Sequence, residues 1–407
     1  MSAPSLPRDA WHLRANIPTF AYLVVTVLVA LGHRWLDDPG WLLVHLLLLG
    51  AATNAIFVWS AHFTQTLLRL PSDTGRGALA WRIAVLNAGA LLVLGGAVVA
   101  SPPAMMLGAV LVAAAALAHG WVLFSEMRRA LPARFRPLVR FYVAAACFLP
   151  VGSLIGAEMS TEHDDAVTGR LLLAHMAANV LGWIGLTVAG TLVQLWPTML
   201  RTRMAEGTEL AARHALPVLI GGILVALLGA GVGVTAVCAL GLVVYLLGWI
   251  RLLWPHARSW SDKPPDGFAP WSVIAALFWL AVAVVIGVVI LATTTDWAVV
   301  DERLILLALP FAGFVLQILL GALTFLIPVV LGGGPAAVRA TIAILDRGDL
   351  MRLAGTNVGL AMAVVPLPNE VRLAGGAIAL VGAASFLPIA GLAVVRNRQA
   401  KANRPTP

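Results

Sequence analysis

The chain has 407 residues, 60% of them hydrophobic and only 11% charged, with a mean hydropathy of +0.92. A soluble domain is about 45–50% apolar and about 25% charged, so a cytosolic enzyme, a disordered chain and a secreted disulfide scaffold are excluded. The formal net charge of +8 arises from basic loops, and it implies no nucleic-acid partner.

A membrane helix takes about 20 mostly apolar residues. In chain order such spans are predicted at 17–35, 41–68, 79–100, 105–127, 137–157, 171–200, 215–233, 236–255, 271–293, 303–331, 350–366 and 370–395. The second, sixth and tenth are long, at about 28–30 residues, and are expected to tilt or protrude. Arg8 and Arg14 precede the first span as in a signal peptide. Its length, and His33-Arg34-Trp35 in place of a cleavage site, predict a retained helix.

Lysine and arginine set the orientation. The termini and the loops after even-numbered spans hold 23 of the 27 basic residues; the other side holds Arg34, Arg170, Arg303 and Arg372. Both termini are therefore expected on the cytoplasmic side of a cell membrane. The outer face carries ten acids, among them Asp37, Asp38, Glu158, Glu162, Asp164 and Asp165. Such an anionic surface suits a cation or a basic extracytoplasmic partner, for instance a copper or electron-transfer protein.

Short motifs recur. The second span ends Thr66-Leu67-Leu68-Arg69 and the sixth Thr198-Met199-Leu200-Arg201. The third opens with Arg82, Asn87 and Gly89, and the eleventh with Arg352, Asn357 and Gly359 at the same spacing. The seventh has Arg213 at the matching place, with Val218 where asparagine is expected. The fold class expected is thus an all-α polytopic membrane protein of twelve helices in three four-helix units. The approximate repeats are 10–135, 136–260 and 268–396.

Twelve spans in three units, with both termini inside, resemble the catalytic subunit of heme-copper oxidases. That resemblance implies that His45 is an axial ligand of a low-spin heme. The family's oxygen-reducing centre is not implied, because the tenth span has Gln317 and no histidine and the seventh offers only His214. The chain looks like a divergent relative. It is similar either to the NnrS nitric-oxide-response family or to the oxidase-like membrane domains found with multicopper oxidases.

No Asp, Glu or Lys is placed deep in the spans, so candidate chemistry rests on His45, His62, His119 and His175. Neutral imidazole ligates both heme iron and copper. His45 and His62 are 17 residues apart, roughly 26 Å along one helix, and cannot share a metal. His45 and His175 are each the fifth residue of a predicted span and are expected at one depth near the outer face. Asn179, His33 and the loop containing Glu158, Met159 and His163 are expected to supplement them. That mixed donor set suits copper. His62 and His119 are expected to meet near the inner face, flanked by Trp59 and Trp121, as a second heme site. Asn54, Asn87, Asn179, Asn357, Gln194 and Gln317 are expected to bridge helices. Cys147 and Cys238 form no CxxC motif and read as packing residues.

Three functions compete. A heme- or copper-binding protein in electron relay or nitric-oxide chemistry is favoured. The alternatives are a transporter of a metal ion or small solute, and a membrane anchor for an extracytoplasmic copper protein.

Overall fold

The computed structural model describes residues 7–71 and 75–402, without the side chains of 258–262. Among them every regular element is helical. In chain order the helices are α1 (Arg8–Leu31), α2 (Pro39–Leu68), α3 (Arg76–Val98), α4 (Pro102–Arg129), α5 (Arg136–Glu158) and α6 (Asp165–Met199). There follow α7 (Thr208–Val232), α8 (Thr235–Asp262), α9 (Phe268–Thr293) and α10 (Trp297–Leu331). The last three are α11 (Gly334–Leu345), α12 (Asp349–Val364) and α13 (Asn369–Ala402).

Eleven of these helices are long and apolar enough to cross a membrane; α11 and α12 are not. The eleventh expected span thus appears as α12, whose 16 residues rise only about 24 Å. Its backbone turns extended at Val365, ahead of Pro366 and Pro368. The expected loop before it contains α11, which buries Ala337, Thr341 and Leu345 along one stripe. Helix α6 starts six residues earlier than expected because Asp164 caps it, its carboxylate accepting the Val167 N–H at 2.8 Å.

The chain divides into two compact units. One comprises the chain up to Ala51, Pro265–Leu280 and the chain from Leu309 onward; the other comprises Ala52–Pro264 and Ala281–Ala308. In the first unit the ends of the chain are joined by an ion pair, Lys401 Nζ to Asp9 Oδ2 at 2.7 Å.

The three long helices share a register. Each is followed by a left-handed residue, with φ +57° at Arg69, +52° at Arg201 and +58° at Gly332. Glycine adopts that conformation freely, whereas arginine does so at a cost. Counting back from these residues aligns Gly50, Gly182 and Gly313. Each receives a side chain from the preceding odd-numbered helix: a Cβ there would run into the Tyr22 ring at Gly50, and would lie 2.6 Å from Phe148 at Gly182 and 3.1 Å from Trp279 at Gly313.

Three helix hairpins are likewise built on paired glycines. In α3–α4 a Cβ on Gly89 would be 2.7 Å from Gly108 O, and in α7–α8 one on Gly222 would be 2.7 Å from Gly241 O. In α12–α13 a Cβ on Gly375 would be 2.8 Å from Gly359 O. Small residues let the backbones approach where apolar side chains have no advantage over lipid. The pairing also corrects the sequence register of α7. With Gly222 at the Gly89 position, the counterpart of Arg82 is Ala215, not Arg213.

Amides join helices in two repeats. Asn54 and Asn87 exchange hydrogen bonds at 3.2 and 2.8 Å, and Gln317 and Asn357 do so at 3.2 and 2.9 Å. Asn54 and Gln317 occupy the same register position. Leu186 holds that position in the second repeat, and no amide bond forms there.

Candidate functional site

The outer part of α2 begins with Pro39 after Asp38, whose carboxylate accepts the Trp41 N–H at 3.0 Å. One turn on, His45 Nδ1 lies 2.8 Å from Trp41 O, and the two rings stack at 3.8 Å. Donation from Nδ1–H to a carbonyl fixes the tautomer and makes Nε2 the basic nitrogen, the arrangement typical of a metal-ligating imidazole. Directly after His45 the helix widens into a π-helical segment, Leu46–Ala52.

In the other unit, α6 carries His175 over two glycines of α5. The ring lies where a Cβ on Gly156 would be 2.7 Å from Nδ1, and Nδ1 is 2.9 Å from Gly152 O. Asn179 lies against Gly152 and places its Nδ2 3.4 Å from His175 Nε2. A second π-helical segment, Ala177–Gly185, starts just beyond His175. Helix α10 lacks both features: it has no histidine, and its irregular turn is a 3-10 segment at Ile305–Leu307.

The actual helix starts alter the expected equivalence of these histidines. His45 is the seventh residue of α2 and His175 the eleventh of α6. Measured from Arg69 and Arg201 they are offset by two positions, so Ala177 is the counterpart of His45 and Leu43 that of His175. They also belong to different compact units.

The expected supplementary ligands are engaged locally. His33 Nδ1 lies 2.9 Å from Ala30 O. In the loop after α5, His163 Nε2 lies 2.9 Å from Thr161 Oγ1 and 3.6 Å from the Glu158 carboxylate. Met159 is the C-cap that follows α5. Among the described residues no group of three or more His, Cys, Asp or Glu side chains is arranged to hold a metal ion.

His62 and His119 face different ways. His119 is fully buried and stacks on Phe57 at 4.4 Å, with Nε2 2.8 Å from Ser60 Oγ. Phe57 and Ser60 therefore mark the face of α2 that meets α4. At 100° per residue His62 lies roughly 170° around the helix from that face. It is half-buried beside Trp59 and Phe63, with ring centroids 5.7 and 5.9 Å away. Trp121, the other expected flank, is exposed.

Sequence reasoning passed over Ser60 and Thr64 and read Arg82 only as part of a recurring motif; Ser60 bonds His119 and Thr64 follows it by one turn. The available signal was spacing: Phe57, Ser60 and Thr64 share one helical face with Thr53, to which Trp183 Nε1 donates at 3.1 Å. No protein-family model and no curated protein sequence matches the chain.

Proposed function

We propose that the chain is a heme-carrying membrane protein for electron relay or nitric-oxide-related chemistry, with His45 and His175 as iron ligands. The observation that carries this reading is the coincidence of histidine and π-helical distortion. Two of the three equivalent long helices have both, and the third has neither. Such π segments are rare and concentrate at functional sites. Heme fits the donor set better than copper does, because the porphyrin fills four iron positions and leaves one or two for imidazole. No three protein donors need converge. When bound, the heme supplies a one-electron centre or a site for a diatomic gas. The Trp41 and Gly152 carbonyls hold the imidazoles by Nδ1 and make Nε2 the basic nitrogen; at His175 an iron would replace the Asn179 amide on Nε2.

The same proposal includes twelve spans with both ends cytoplasmic. The short α12 reaches the length of a span with the extended residues after it. The Asp9–Lys401 ion pair and the basic loops support a common side for the termini.

The test is an absorption spectrum of protein purified from heme-replete cells, oxidised and then reduced with dithionite. A Soret band with reduced α/β bands is expected, weakened in His45→Ala or His175→Ala. A colourless protein, or a spectrum unchanged in both variants, overturns the reading.

A further inference from the structure

A second cluster, around His119, takes no part in heme ligation. Ser60 Oγ donates to Ile56 O at 2.6 Å and accepts from His119 Nε2 at 2.8 Å, leaving His119 Nδ1 as an acceptor. That atom has no hydrogen-bond partner, nor has Thr64 Oγ1, nor Arg82 Nε. The three residues are 0%, 0% and 7% exposed. They are close in space. Thr64 is one turn beyond Ser60; Arg82 is two turns before Gly89 and His119 three turns beyond Gly108, on the faces that the Gly89–Gly108 contact brings together. Starting from the Asn54–Asn87 bond, Ser60 lies about 9 Å along α2 and Arg82 about 7.5 Å along α3, in the same direction.

An unmatched buried polar atom costs about 1–3 kcal/mol, so three together require partners. The fold itself does not require them. In register, the places of Ser60, Thr64 and His119 are taken by Leu192, Trp196 and Leu252 in the second repeat. In the third they are taken by Leu323, Ile327 and Phe386, and all six are buried. Among these six the only polar side-chain atom is the Trp196 indole N–H, a donor alone, so the first repeat is the one with both donors and acceptors there. A donor (Arg82 Nε–H), an acceptor (His119 Nδ1) and a hydroxyl that can be either match water, which both gives and accepts hydrogen bonds. Toward the Asn54–Asn87 pair lie the fully buried Phe57, stacked on His119, and Leu86, one turn from Arg82 on α3. On the other side stands Glu126, two turns along α4 and half-buried.

We propose that Ser60, Thr64, Arg82 and His119 bound an internal hydration site that opens toward Glu126. Water there accepts from Arg82 and donates to His119, and solvent reaches the imidazole from one end of the bundle.

The test compares equivalent positions in two repeats. With Cys147→Ala and Cys238→Ala as background, Thr64→Cys and Ile327→Cys are exposed to a small cationic methanethiosulfonate. Thr64→Cys is expected to react at least about tenfold faster, a barrier difference of ~1.4 kcal/mol. Equal rates, or no reaction at Thr64→Cys, overturn the proposal. The unsubstituted protein gives a second reading if either cysteine disturbs folding. With 15N-histidine labelling, water-to-side-chain magnetisation transfer to His119, identified by its loss in His119→Gln, should be as rapid as to the loop residue His163. A His119 signal isolated from water overturns the site.

Discussion

The first and third repeats share a skeleton and differ in what it encloses. Both have a long helix ending in a left-handed residue, a glycine-paired hairpin, an amide pair and a buried arginine, Arg82 or Arg352. Inside the first lie Ser60, Thr64 and His119; inside the third, Leu323, Ile327 and Phe386. The backbone approach is set by glycines that cannot be enlarged, which leaves the interior positions free to change chemistry. A polar interior in one copy is therefore a property of that copy and not of the architecture. The clearest tests perturb what the copies share and then what separates them.

The largest effect is expected from the shared skeleton. A Cβ on Gly359 would sit 2.5 Å from Ala379 N, a backbone atom that cannot swing aside. Gly359→Val should cost ~3 kcal/mol or more through overpacking. Its measure is a steep fall in the temperature of half-unfolding in detergent, or loss of monodisperse protein. Gly376→Ala, one position beyond the partner Gly375, meets nothing within 4 Å. It should be neutral or stabilising by about 0.5–1 kcal/mol. Equal behaviour of the two variants would remove the glycine pair as the determinant of the hairpin.

Next come the two arginines, alike in position and unlike in partners. Arg352 Nη1 donates to Leu345 O at 2.8 Å, and its guanidinium lies 4.0 Å over the Phe268 ring. Arg352→Met should cost ~2 kcal/mol, the sum of a charged hydrogen bond and a cation–π contact. Arg82 has no such aromatic cap among the described contacts, while the Nε of both arginines lacks a hydrogen-bond partner. Arg82→Met should therefore cost less in the same thermal assay. A larger loss for Arg82 would reverse the comparison.

The sequence reveals the skeleton better than the interior. Long apolar runs are a strong, additive signal, and the recurring Arg82/Asn87 and Arg352/Asn357 spacing coincides with a buried arginine and an interhelical amide pair in both places. The glycines Gly50, Gly182 and Gly313 were equally available but are recognisable only once the helix ends fix the register. Helix rotation was harder to read. His62 and His119 could be assigned similar depths by counting, but a phase of roughly 170° separates His62 from the face that meets His119. The shift between His45 and His175 was hidden by caps: Asp164 starts α6 well before its apolar run, and a π segment alters the turn count thereafter.

A moderate effect is expected at the amides. Asn87→Val removes both bonds to the buried Asn54 side chain and should cost about 1 kcal/mol, in line with interhelical hydrogen bonds in membranes. Adding Asn54→Leu copies the residue the second repeat already uses at Leu186. The double variant should recover most of the loss in half-unfolding temperature. If the two changes simply add, the pair does not act as a unit.

The smallest effect comes from a feature peculiar to the third repeat. Asp346, in the turn between α11 and α12, accepts the Phe268 N–H at 3.1 Å. Burial raises its carboxyl above the ordinary carboxylate value; Asp349 and Asp266 add to this, while the Phe268 N–H and Arg352 oppose it. With the folded value above the unfolded one, the folded state binds more protons in the interval between them. This group's contribution to stability is therefore full below the unfolded value and is lost as pH rises through the folded one. Asp346→Asn retains an acceptor for Phe268 and removes the charge. Because the side chain is partly solvated, the gain near neutral pH should be only a few tenths of a kcal/mol. The readout is the difference in half-unfolding temperature between the variant and the natural protein, followed upward from about pH 4. The variant's advantage should grow as the pH rises. An advantage that shrinks would mean that Arg352 and the Phe268 N–H outweigh burial, so that the ionised carboxylate holds the turn.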